Sequence, residues 1–188
     1  MLRTVTGSTV IVDSNIAISL DLAARDPSLK SLNPAQRANV AFARSAGIVI
    51  ATPETAHELA AGGGASATVL VTQEVPTPPA ERAEIVNDLT AAGVNGAADR
   101  EVVTQSLLAQ TDPGVTPSLA TADRGVVNAL ARLSGIRTDR LGGYQNVAEW
   151  LRYTRNTDSF TVTIRGRTLR VVPVQPVRLG PARPGGGL

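Results

Sequence analysis

The chain contains no cysteine and only one histidine, His57. Disulfides and thiolate metal sites are therefore excluded, and a zinc cage or a histidine-based triad lacks its ligands. Any metal bound here has to be a hard cation held by oxygen. Lysine is nearly absent too, Lys30 being the single one. With abundant Ala, Gly and Pro, the use of Arg in its place reads as the base composition of a GC-rich genome rather than as selection for bidentate contacts. Aromatic residues make up 3% of the chain, which argues against base stacking as the main binding mode. No apolar run approaches 18 residues, so no transmembrane helix is expected. The opening stretch from Met1 to Ser8 is polar, so no secretory signal is expected either.

What is present suits one α/β domain of 188 residues with an appendage rather than two domains. The net charge of +2 conceals an asymmetry: residues 1–136 hold 9 Lys/Arg and 13 Asp/Glu, and residues 137–188 hold 9 Arg and 3 acids. This pattern predicts an acidic pocket beside a basic, polyanion-attracting surface, unless the basic tail is simply solvated.

Val10-Ile11-Val12 has the composition of a buried strand and ends on Asp13, with Ser14 and Asn15 placed to cap the next helix. A carboxylate at a strand exit is either a turn or capping residue or a site residue, because ligands of open α/β sheets bind at the carboxyl ends of strands. A helix is predicted over 16–24. Another is predicted over 34–46, with Asn33 as cap, Pro34 in the first position and Gly47 beyond its end. Ile48-Val49-Ile50 reads as a second strand running into Thr52-Pro53 and a helix carrying Glu54, His57 and Glu58, stopped by Gly62-Gly63-Gly64. Residues 68–75 read as an edge strand or an extended loop. A helix follows over 80–92 and closes on Gly93. The next runs from Gly96 to about Gln110, with Asp99 in its first turn, where the macrodipole alone favours an acid. Ser118 to Thr121 reads as a third strand, and Asp123 repeats the position of Asp13 before a helix over 124–134.

Beyond Gly135 the sequence predicts a basic extension over 136–175: a short helix over 146–153 and a hairpin over 160–173. In that hairpin Val162, Ile164, Leu169 and Val171 face one way and Arg165 and Arg170 the other. Residues 176–188 are rich in Pro and Gly and are predicted to be disordered.

Asp13 and Asp123 at strand exits, and Glu58 and Asp99 in opening turns of helices, would meet at one edge of a parallel sheet. Carboxylates so gathered repel one another unless a divalent cation neutralises them, and Mg²⁺ or Mn²⁺ with oxygen ligands suits that role. The chemistry this points to is phosphodiester hydrolysis.

The order and surroundings of these acids resemble the PIN domain family of metal-dependent ribonucleases. Ile11-Val12-Asp13-Ser14-Asn15 resembles its first motif, and Thr55-Ala56-His57-Glu58-Leu59 its second. Ala98-Asp99-Arg100-Glu101-Val102-Val103 resembles the third, and Leu119-Ala120-Thr121-Ala122-Asp123-Arg124 the fourth. The likeness spans roughly residues 8–135. The Pro-rich region between the second and third motifs is longer than compact members need, and the basic extension lies outside the common domain. The resemblance implies a three-layer α/β/α sandwich with a central parallel sheet, often dimeric, that cuts RNA. It implies Asp13, Glu58, Asp99 and Asp123 as catalytic metal ligands for Mg²⁺ or Mn²⁺, with Asn15 ordering the site. It also implies a toxin acting in the cytoplasm of the producing cell or of a target cell, either a small toxin or the end of a larger effector, with a cognate antitoxin or immunity protein as partner.

Glu54 competes with Glu58 for the second ligand position, since four residues apart they share a helix face, and Glu58 is preferred. His57 reads as a surface or packing residue. Arg165, Arg167 and Arg170 of the hairpin are the expected contacts to RNA phosphates. A phosphatase or phosphoacceptor reading would require an acid at position 15, or a companion acid pair together with a late lysine; Asn15 stands there, and no lysine follows Lys30. The stronger alternative is a non-catalytic PIN-like domain that binds RNA or a protein.

Overall fold

The structure is a computed structural model that describes residues 9–63 and 70–174. The predicted tail over 176–188 and the third glycine of the triplet, Gly64, lie outside the described residues. The first strands and their helices follow the sequence closely: β1 (Thr9–Val12), α1 (Ser14–Arg25), α2 (Pro34–Ser45), β2 (Ile48–Ala51) and α3 (Pro53–Ala61). After them come β3 (Leu70–Val71), α4 (Pro79–Ala92), α5 (Ala97–Leu107), β4 (Ser118–Thr121) and α6 (Arg124–Leu133). The chain continues through α7 (Val147–Trp150), which runs on as a π-helical turn over Leu151–Arg155, into β5 (Phe160–Ile164) and β6 (Arg167–Pro173).

Local chemistry explains these boundaries. Asn33 and Gln36 form a reciprocal capping box at the start of α2, and Thr52 accepts from the Thr55 amide at the start of α3. Gly93 closes α4 in the left-handed region at φ 95°, a conformation that costs a residue without a side chain little. At the head of α1 the cap is Asp13 itself rather than Ser14 or Asn15: its Oδ1 accepts from the Ile16 amide at 3.0 Å.

The strands form one sheet in the order β3-β2-β1-β4-β6-β5. All pair in parallel except β5, which runs antiparallel along the edge. The two faces of the sheet carry separate buried clusters. Val10, Val12, Ala120 and Val172 pack with Ile16, Ala43 and Leu59 of α1, α2 and α3. Ile11, Leu119, Leu169 and Val171 pack with Ile85, Leu89, Val103 and Leu130 of α4, α5 and α6. The architecture is α/β with a mostly parallel central sheet, compatible with a three-layer sandwich.

Two expectations change here. The hairpin of the 136–175 segment is not set apart from the sheet, because β6 inserts between β4 and β5 and pairs with β4 from Ser118↔Arg170 to Thr121↔Pro173. Nor do Arg165 and Arg170 share a face. Arg165 occupies the two-residue turn with Gly166, at φ 51° and 75°, and leans onto α4, where its guanidinium meets Asp88 and Glu84. Arg170 stands on the opposite side with Phe42 and Ser45 of α2 and pairs with Asp158. A turn with both residues left-handed breaks the alternation on which the shared face depended. Among the described residues no helix is long and apolar enough to cross a membrane.

Candidate functional site

The chain leaves β1 for β2 on one side and reaches β4 on the other only later, so the strand order reverses beside β1. The connections after β1 and β4 depart in opposite directions, which opens a crevice beyond the carboxyl ends of these two strands. A pocket of about 300 Å³ lies there. Asp13, Asn15, Glu58 and Asp99 line it, together with the apolar Ile18 and Val102. Asp123 caps α6 by accepting from the Val126 amide at 2.9 Å and stands close enough for its charge to act on both Asp13 and Asp99. Glu54 and His57 are not among the lining residues, and His57 is exposed.

Asp13 is buried and fully engaged. Besides the Ile16 amide on Oδ1, its Oδ2 accepts from Thr121 Oγ1 at 2.6 Å and from the Ala122 amide at 3.0 Å. Burial pushes its carboxyl above the ordinary range, aided by the Asp123 charge, while these three hydrogen bonds pull the other way. Asp99 is different, because its carboxylate accepts no hydrogen bond among the described residues. Burial raises it, then repulsion from Asp123 and Glu58, with only Arg100 opposing. Room for it comes from Gly96, where an added Cβ would collide with Asp99 Oδ2.

Glu58 is held by Ser14, whose Oγ donates to Oε2. Helix α3, which carries Glu58, is in turn fastened to α5, which carries Asp99. Gln105 Oε1 accepts from the Glu54 amide at 2.9 Å, and its Nε2 donates to Glu101 at 2.9 Å. The sequence alone does not mark Ser14, Thr121 or Gln105 as site residues. Ser14 reads there as a cap, and a polar residue two before Asp123 at the end of β4 is the available signal for Thr121.

Neither Lys nor Arg lines the pocket, and its acids are mutually repelling oxygen donors. In chemistry that set suits a hard divalent cation. As arranged, however, no group of three or more His, Asp or Glu side chains among the described residues is gathered to hold a metal. Three of the carboxylates are engaged within the fold instead: Asp13 with Thr121, Glu58 with Ser14, and Asp123 with the Val126 amide. The expected phosphate contacts of the hairpin are committed within the fold: Arg165 to Asp88 and Glu84, Arg167 to Glu81, and Arg170 to Asp158. No family model matches the chain, and no curated protein or solved structure matches it either.

Proposed function

We propose that this protein is a Mg²⁺- or Mn²⁺-dependent ribonuclease with a PIN-like fold, hydrolysing phosphodiester bonds of RNA at the carboxyl edge of its sheet. The observation that carries the reading is the convergence of Asp13, Glu58 and Asp99 on one pocket at the strand-order reversal, with Asp123 beside it and neither Lys nor Arg among the lining residues. Asp13, Glu58, Asp99 and Asp123 would hold the cation. Bound there, it would lower the pKa of a water and stabilise charge on the phosphoryl group. The protein's own part is positional. Thr121 and the Ala122 amide fix the Asp13 carboxylate, Ser14 fixes Glu58, and Gln105 sets α3 against α5. Ile18 and Val102 limit the water around the acids. Asn15, exposed where it lines the pocket, would order the site.

The test is to incubate the protein with total RNA in Mn²⁺ or in EDTA and to sequence the new ends. Mn²⁺-dependent ends are expected, and their absence would overturn the reading. Mn²⁺ should also raise the melting temperature, since the assembled site exists only in the folded state. As a toxin the active chain would arrest the growth of a host that expresses it, and a cognate inhibitor protein would relieve the arrest. A second reading, a non-catalytic PIN-like domain binding RNA or a protein, is favoured by the commitment of the Asp13 carboxylate to Thr121 and to the Ile16 and Ala122 amides within the fold. A melting temperature indifferent to Mn²⁺ would select it.

A further inference from the structure

The chain has one Trp and two Tyr, and all three fall within ten residues: Tyr144, Trp150 and Tyr153. The fold gathers them on α7, its π-helical turn and the loop that leads into it. The rings of Tyr144 and Tyr153 stack with centroids 5.9 Å apart and planes 11° from parallel. The Arg155 guanidinium lies over the Trp150 ring, 5.2 Å from its centroid. Trp150 packs partly against the core, whereas Tyr153 is 66% exposed, so the ring it shares with Tyr144 on one side is open on the other. Among the described residues this is also where the basic charge of the carboxyl-terminal region is least neutralised. Arg165, Arg167 and Arg170 are all ion-paired, but Arg152 and Arg155 are exposed and make no ion pair among the described residues.

The position relative to the pocket follows from one hydrogen bond. Arg124 immediately follows Asp123, and its Nη2 donates to the Gln145 carbonyl at 3.1 Å, next to Tyr144. The aromatic element is thereby tied to the end of α6 that faces the acidic edge. Nothing in folding requires an open tyrosine face there. An apolar protein interface would need several exposed anchors, yet Tyr153 is the only large hydrophobic residue exposed between residues 137 and 156, all of which are described. One open aromatic face near two exposed arginines that make no ion pair among the described residues is what an unpaired base and its phosphates require.

We propose that the Tyr144–Tyr153 stack, with Arg152 and Arg155 beside it, is a single-strand nucleic-acid subsite on which an unpaired base stacks. Tyr153 offers the face and the two arginines meet the flanking phosphates. The direction in which the subsite leads a strand, toward the acidic pocket, rests on the ribonuclease reading; the binding itself does not.

The experiment measures fluorescence anisotropy of a labelled oligouridylate, single-stranded or annealed to oligoadenylate, in EDTA so that no cleavage occurs. Tyr153→Ala should weaken single-strand binding about tenfold or more, the usual size of a base–aromatic stack, and leave duplex binding unchanged. Tyr153→Phe should restore affinity. Arg152→Gln with Arg155→Gln should shrink the salt slope by roughly 0.7 for each phosphate that the guanidinium groups had neutralised. Equal single-strand affinity for wild type and Tyr153→Ala would overturn the proposal and leave a protein as the occupant to seek. Equal weakening on single strand and duplex would overturn it as well. Tyrosine-dependent binding by a protein that shows no Mn²⁺-dependent cleavage would uphold the subsite while removing the ribonuclease reading.

Discussion

Two sets of acids in this protein are treated in opposite ways. Those of α4 are matched: Glu81 meets Arg167 at 2.9 Å, and Asp88 receives Arg165 through two nitrogens, at 2.6 and 3.1 Å. Arg165 accordingly holds the Asp88 carboxyl below its ordinary range. Those of the pocket have no such partners, and Asp13 and Asp99 are both pushed upward. The chain has 18 Lys and Arg, so the unmatched set does not reflect a shortage of cations. The fold uses arginine to fasten the hairpin to α4 and leaves the pocket acids without an ion pair among the described residues. A repelling set costs stability, and the proposed reading gives that cost a purpose, since the complementary charge comes from outside the chain.

The comparison breaks most sharply at Asp99. Its carboxylate makes no hydrogen bond among the described residues, so Asp99→Asn should abolish Mn²⁺-dependent cleavage without unfolding the protein. A metal ligand worth several kcal/mol of transition-state stabilisation corresponds to a loss on the order of a thousandfold in single-turnover rate. Retained cleavage would remove Asp99 from the site. Asp13→Asn should differ by also destabilising the fold, by about 1–3 kcal/mol in urea unfolding. Whichever way its amide turns, the new NH₂ faces either the Ile16 or the Ala122 amide. Wild-type stability in this variant would show that the two amides are not held as described.

The pH dependence sharpens the contrast. The Asp99 pKa in the folded state is above the ordinary 3.8, so the folded protein holds more protons between those two values. Stability from this group is therefore highest at low pH and falls as pH rises through that window, then levels off. In EDTA, Asp99→Asn should gain on wild type as pH climbs from below 3.8, and melting curves across pH would show whether it does. The smallest effect is expected at the matched set. Arg167→Gln breaks a half-buried surface pair and should cost less than about 1 kcal/mol, less still in high salt, with cleavage chemistry unaffected.

The sequence is most legible where a residue's own chemistry decides its neighbours' backbone. Asn33-Pro34, Thr52-Pro53 and Gly93 mark helix ends that the structure places within a residue. The short apolar runs ending on Asp13 and Asp123 point to β1 and β4 and, through strand order, to the edge where the acids collect. Less legible is anything that depends on a distant partner. Alternation in the hairpin specifies its two faces but not that β6 joins β4, although the unbroken apolar run Val171-Val172-Pro173 is the mark of a strand buried on both faces. The face assigned to Arg165 fails at a left-handed turn. The aromatic element is hidden because a 3% average conceals three side chains gathered in ten residues.

The insertion of β6 between β4 and β5 also has a consequence for biosynthesis. Every strand on the other side of β4 lies earlier in the chain, so a nascent polypeptide can build that half of the sheet while the open flank of β4 waits for residues 167–173. Pairing of such high contact order comes late, and until then the flank is an unprotected template for aggregation. A chain stopped at residue 135 would retain all four acids yet lack the strand that seals their sheet. Circular dichroism and sedimentation should find it unfolded or aggregated. The hairpin of β5 and β6 thus acts as the latch that closes this flank of the sheet.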